Sequence, residues 1–282
     1  MLRQRVLTAL LLLPLVMAAI FAMPATWFLL LLAVVLLGGS REYLRLAGVS
    51  GQANGYLLVT LQAVILAILF WYRNEWAMAN TWAITWYLAL SCAAWLLMFI
   101  RLPLYNPDAR PDARYRVVAL LTSFLSVTTC WFALGWLRFQ PQGSWLILLL
   151  LLIVWAADTG AYFSGKAFGK SKLAPHISPG KTTAGLWGGL ISAALIALLA
   201  AHLMPVEPIE PVRLVLLSLV TALVSVGGDL MISLHKRTSG FKDSGSLLPG
   251  HGGILDRVDS LLAAAPFFAL GLLLAGFRGT IA

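Results

Sequence analysis

An all-α integral membrane fold is what three features of this 282-residue sequence predict. The chain is 60% hydrophobic and only 11% charged, with a mean hydropathy of +0.88, whereas a soluble domain carries roughly 25% charged residues. Its apolar residues form successive long stretches from one end to the other, each close to the ~20 residues that cross hydrocarbon as a helix. Its basic residues collect in alternate connections between those stretches, the pattern of a polytopic protein whose inner loops are Lys- and Arg-rich.

The elements follow in order. The opening MLRQRVLTALLLLPLVMAAIFAMPA has the look of a signal peptide, with Arg3 and Arg5 ahead of an apolar run. That run is longer than a cleaved core and a second one follows at once, so it is taken as an uncleaved first helix. Spans are expected at 6–23, 25–39, 55–72, 80–100, 117–138, 145–163, 184–204, 212–232 and 259–277, nine in all. The second is short and is expected to cross with little tilt or to be re-entrant. With the N-terminus in the cytoplasm, 16 of the 20 Lys and Arg fall inside and only Arg73, Arg138, Arg213 and Arg278 outside. This split predicts an N-in, C-out topology. Aromatic clusters such as FWYRNEW and NTWAITWY sit at span ends, as interfacial belts do. Outer connections such as PVEPIEP (205–211) look like plain connectors. Cys92 and Cys130 lie in apolar runs without CxxC spacing, as small core residues. The net charge of +9 suits loops beside anionic headgroups. No basic run with interleaved aromatics points to nucleic acid.

Chemistry is concentrated near the C-terminal end. Asp229 stands at the inner end of the eighth span, and Asp256 and Asp259 stand where the ninth begins. The last two are three apart and share a helix face. Carboxylates next to hydrocarbon are costly unless paired or metal-bound. A shared hard cation, Mg²⁺ completed by water and substrate phosphate, is the expected reading. Plain ion pairing, Asp256 with Arg257 and Asp229 with Lys236, is the alternative. Lys236, Arg237, Lys242 and Arg257 form a set able to neutralise a polyphosphate, although positive-inside flanking also places such residues, and Lys242–Asp243 could be a local salt bridge. In PGHGG (249–253), glycines allow backbone N–H groups close to a phosphate and His251 is a candidate donor. SPGKTTAG (178–185) is not a P-loop, because Pro175 stands where the first glycine belongs. Lys181 and Thr182, just before a helix, remain candidate phosphate contacts. Asp158 is left open as a metal ligand, a partner for Lys166 or a packing group.

The stretch SLHKRTSGFKDSGSLLPGHGGILDRVD (Ser233–Asp259) resembles the signature of the phosphatidate cytidylyltransferase (CDP-diacylglycerol synthase) family. Upstream, ADTGAYFSGKAFGKSKLAP, SPGKT and GDL extend the resemblance over the C-terminal half. The N-terminal half matches only as hydrophobic spans. Two positions depart from the pattern: His235 stands where an apolar residue is usual, expected to be tolerated at the membrane–water boundary, and Ile232 where many bacterial members have Glu. The resemblance implies cytidylyl transfer from CTP to phosphatidate, giving CDP-diacylglycerol and pyrophosphate. It implies that Asp229, Asp256 and Asp259 hold Mg²⁺, with a second, monovalent cation allowed. It places Lys242, Asp243, His251 and Arg257 at the reacting centre, and Lys181, Thr182, Ser233, Lys236 and Arg237 on the substrates' phosphates. It also allows a homodimer in a bacterial inner membrane, with membrane lipids as neighbours and the site on the cytoplasmic side. Residues 1–140 would then hold spans one to five, and 141–282 the catalytic region with spans six to nine.

Two other classes are weighed. An ion-coupled transporter would place its acids at the bilayer midplane, whereas these cluster with inner loops. CDP-alcohol phosphotransferases carry Asp-Gly-x-x-Ala-Arg, which is absent from this sequence.

Overall fold

The computed structural model describes residues 2–49, 51–74, 81–108, 111–205, 210–247 and 252–276, and only the backbone of residues 2–9 and of Thr81. Parts of the connectors FWYRNEW and PVEPIEP lie outside the described residues, as do Arg110 and Arg278. His251, with Pro249 and Gly250, lies outside them too.

The helices are α1 (Leu2–Phe21), α2 (Ala25–Leu46), α3 (Gln52–Trp71), α4 (Thr81–Phe99), α5 (Ala113–Phe139), α6 (Gly143–Phe168), α7 (Thr183–Leu203), α8 (Pro211–Thr238) and α9 (Leu255–Leu274). Eight of them, α2 to α9, are long and apolar enough to cross a membrane, and α1 adds the shorter apolar stretch Leu10–Phe21. Between α6 and α7 the chain forms a two-stranded antiparallel hairpin, β1 (Lys172–Ala174) and β2 (Ser178–Thr182). The hairpin pairs backbone groups that a bare loop beside an apolar bundle would leave unsatisfied.

The helices outrun the apolar spans at the charged end of the bundle. The clearest case is α2, which continues for 22 residues to Leu46, so the segment expected to be short is a full-length helix. Gly38–Gly39 looks like a stop in sequence, but in the fold it permits close packing. A side chain at Gly38 would come within 2.7 Å of Ile254 Cδ1, and Gly39 faces the backbone of Leu255. Similarly, α6 runs to Phe168 and α8 to Thr238, carrying polar residues beyond the expected apolar spans.

One hydrophobic core passes through both halves of the chain, from Ile20 and Leu29 through Trp95, Trp131 and Leu150 to Phe268. Trp131 Nε1 donates to Leu29 O at 3.0 Å, joining α5 to α2. Cys92 and Cys130 are buried and unbridged. The tightest pair is α6 with α7. Gly160 lies against Ser192 and the Gly188 carbonyl, and Gly188 lies against Ser164, the small-residue contact that lets membrane helices approach closely. Exposed Leu and Trp side chains, among them Trp71 and Trp82, cover the outside.

Candidate active site

The C-terminal ends of α2, α6 and α8 and the N-terminal ends of α7 and α9 meet at one end of the bundle. The start of α9 is organised by a residue that sequence reasoning passed over. Ile254, its N-cap, offers no side-chain cap of its own. The cap comes from Glu42 on α2: Ile254 N–H donates to Oε1 at 3.1 Å, Leu255 N–H to Oε2 at 2.9 Å, and Ser244 Oγ–H to Oε2 at 2.7 Å. A carboxylate here satisfies orphan amides and sits at the positive end of the helix dipole. Glu42 is 8% exposed, and the chain makes room for it with glycines. A side chain at Gly245 or Gly253 would collide with its carboxyl group. The signature glycine at 253 therefore accommodates Glu42, rather than opening the backbone to a phosphate. Gly252 has φ +79°, a conformation glycine adopts without strain. The signal for Glu42 was an acid just past the expected end of the second span at residue 39.

Asp256 completes the same corner. Its Oδ2 accepts from Ser244 N–H at 2.9 Å and from Gly253 N–H at 3.0 Å, and its Oδ1 pairs with Lys236 Nζ at 2.8 Å. The reach back to an amide three residues earlier is the logic of a capping box. Both oxygens are engaged, and the side chain is 7% exposed.

Asp229 and Asp259 face a different direction. Asp229 Oδ2 pairs with Lys181 Nζ at 2.7 Å, and its Oδ1 accepts from Ser233 Oγ–H at 3.1 Å. Asp259 Oδ1 accepts from Ser260 N–H at 2.8 Å, and among the described residues it forms no ion pair. Asp229 bears electrostatically on both Asp259 and Asp158. Asp158 lines a cavity of about 170 Å³ together with Tyr162, Lys181 and Thr182, and the positive charges that bear on it are those of Lys181 and Arg257, not Lys166.

The expected triad is thus divided. Asp229 and Asp259 stand within reach of one another's charge, while Asp256 is neutralised by Lys236 and two amides. Neither expected local ion pair forms, because Asp256 takes Lys236 and Asp229 takes Lys181. Among the described residues no three His, Cys, Asp or Glu groups converge as a metal-binding set. Two carboxyl groups within reach of each other's charge, one outside any ion pair among the described residues, still fit Mg²⁺, which is held by one or two carboxylates with water and substrate phosphate completing the shell.

Other expected site residues divide between inward and outward roles. Thr182 is 6% exposed and its Oγ1 accepts from Gly185 N–H at 3.0 Å, so it caps α7 rather than facing outward. Ser233 is turned to Asp229. Arg237 Nε donates to Ile177 O at 3.2 Å and anchors the hairpin to α8. Lys242, Asp243 and Arg257 are exposed, and no Lys242–Asp243 ion pair occurs among the described residues. Expected at the membrane boundary, His235 is fully buried, with Nδ1 2.7 Å from Tyr43 Oη. Tyr115 Oη beside it reaches Leu46 O at 3.0 Å and Ser239 Oγ at 2.9 Å. His235 therefore fastens α8 to α2 and α5.

Comparison with known proteins adds an independent line. The profile of the cytidylyltransferase family matches residues 3–275. The chain is 39% identical over 277 residues to the phosphatidate cytidylyltransferase of Pseudomonas aeruginosa, covering 98% of this chain and 99% of the relative. It is 36% identical over 284 aligned residues to that of Haemophilus influenzae, covering 95% and 98%. With the Brucella suis protein of the same name, 48% identity extends over 131 residues, 46% of this chain and 48% of the relative.

Proposed function

Because this chain belongs to the cytidylyltransferase family, we propose that it transfers a cytidylyl group from CTP to phosphatidate, forming CDP-diacylglycerol and pyrophosphate. One observation carries the reading beyond the family: the acid and base clusters Lys181–Asp229–Asp259 and Lys236–Asp256 lie together at one end of an apolar helix bundle. A phosphate monoester has a second pKa near 6, so an oxygen of the phosphatidate phosphate is already ionised. It attacks the α-phosphorus of CTP, and the bond from that phosphorus to the bridging oxygen of pyrophosphate breaks. No strong general base is needed. The difficulty is to bring two polyanions together and to receive the departing charge, which is the work of fixed cations.

Asp229 and Asp259 would hold Mg²⁺. When bound, the ion neutralises phosphate charge and polarises the bond to the leaving group. Lys181, on the rim of the Asp158 cavity, takes a substrate phosphate. Lys242 and Arg257, exposed at the same end, meet the triphosphate, with His251 as a further donor. Lys236 and Asp256 shape the loop that presents them, and Thr182 and Ser233 set the orientation of Lys181 and Asp229. Asp243 is assigned to the same loop.

The eight long apolar helices make this an integral membrane protein. The relatives are bacterial, which supports an inner-membrane location. The Lys- and Arg-rich end is assigned to the cytoplasm, where CTP is available. The transporter reading has no support, since the acids gather at one end of the bundle. The test is purified protein in detergent with radiolabelled CTP, phosphatidate and Mg²⁺, following label into the lipid phase. Label that stays in the aqueous phase with active P. aeruginosa enzyme as control refutes the proposal.

A further inference from the structure

Beside the polar cavity lies a larger, almost wholly apolar groove of about 510 Å³. Its walls come from the tip of the β1–β2 hairpin with Ala174, the end of α4 with Phe99, the segment after it with Tyr105, the start of α7 with Leu186, and the face of α8 from Leu223 to Leu230. Leu173, Leu186 and Val226 line both this groove and the cavity that holds Asp158 and Lys181, so the two spaces share a wall. At the other end, Leu96 and Leu223 are 54% and 51% exposed on the apolar exterior. Gly227 allows the groove wall to close here, since a side chain on it would come within 2.8 Å of Phe99 Cζ.

We infer that this groove seats one acyl chain of phosphatidate, with its phosphate at Lys181 and the chain's far end leaving for the bilayer past Leu96 and Leu223. The inference rests on the reading above and adds to it the path of the lipid. Adjacency selects the occupant. A ligand filling both spaces needs an anionic head and an apolar tail joined within a few ångströms, which is the chemistry of a phosphatidic acid. From Leu230 to Leu223 the groove runs about 10 Å along α8, at 1.5 Å per residue. It therefore holds the part of the chain nearest the glycerol and not a whole long chain. A chain leaving the bilayer gains little hydrophobic energy, because lipid tails are as apolar as the groove. The groove acts instead by orienting the phosphate for attack.

The test combines labelling and kinetics on the full-length protein. Phosphatidate with a diazirine near the glycerol end of its acyl chain should label residues 173–177 and 223–230, and phosphatidylcholine bearing the same chain should label them at least several-fold less. In mixed micelles, Leu223→Trp should lower the ratio of kcat/KM for dioleoyl over dihexanoyl phosphatidate by about ten-fold, since misplacing the reacting phosphate by ~1 Å costs up to ~100-fold. Ala174→Trp, on the hairpin wall of the groove, should lower kcat/KM for both lipids and leave the KM for CTP in place. Equal labelling by both lipids makes the groove a site for bulk bilayer lipid, and protein–protein crosslinks at these residues make it a contact between copies. Either result overturns the inference, as does an unchanged chain-length ratio in Leu223→Trp. A wild-type protein that turns over no phosphatidate at all refutes the proposed function, and the labelling preference still decides the groove.

Discussion

Replacing Glu42 tests whether the corner at the start of α9 matters for turnover or only for stability. In Glu42→Ala the amides of Ile254 and Leu255 and the hydroxyl of Ser244 lose their acceptor. Each buried, unsatisfied amide costs about 1–3 kcal/mol, and losing a carboxylate at a helix N-terminus costs roughly 0.3–1 kcal/mol more. The two amides and the lost charge together come to about 2–7 kcal/mol, a large part of the ~5–15 kcal/mol that holds a typical domain folded, so Ala is expected to yield little folded protein. Glu42→Gln is the informative change. It keeps one carbonyl acceptor and turns an NH₂ group toward the remaining donors, at a cost of about 1–3 kcal/mol. The protein should fold with a lower melting temperature in detergent. Turnover per folded molecule should fall by roughly 10- to 100-fold, because the corner carries Lys242, Arg257 and Asp259 and small displacements are costly. The assay is CDP-diacylglycerol formation normalised to the monodisperse fraction, with KM for CTP measured alongside. A Gln variant that melts lower but keeps wild-type turnover would show that Glu42 is structural only. One with unchanged melting and turnover would refute the capping argument itself.

The divided acids predict divided phenotypes. Asp259→Asn and Asp229→Asn should each abolish turnover with folding intact, because an amide cannot hold the ion against its hydration. Asp256→Asn should be destabilised, because Lys236 loses its partner at 2.8 Å, and its residual turnover should not respond to added Mg²⁺. Activity should vanish in EDTA and return with Mg²⁺ or Mn²⁺; full activity in chelator removes the metal assignment. Lys242→Ala, exposed and unpaired among the described residues, should raise the KM for CTP without lowering thermal stability. A reporter fused after Ala282 should register as external, and a cytoplasmic signal would mean that one assigned span does not cross.

What the sequence determined by itself was the rough position of the long apolar helices and the family resemblance. These are legible because they are local: hydrophobic length, charge bias and a contiguous signature need no knowledge of neighbours. Helix ends at the charged side were less legible. Local pattern ends the second span at residue 39 and leaves Arg41–Glu42 to the inner connection, and only the approach of Ile254 and Leu255 explains why the helix continues. Only the tertiary structure decided which cation meets which acid. The spacing of Asp256 and Asp259 suggested one shared ion, but Lys236, 20 residues away, takes the first. Lys181 reaches Asp229 because glycine-lined packing holds α7 against α6. Glu42 and Ser244 are 202 residues apart, and His235 meets Tyr43 across 192. Such pairs are set by the rotation and depth at which helices pack, and one chain's local periodicity carries no record of either.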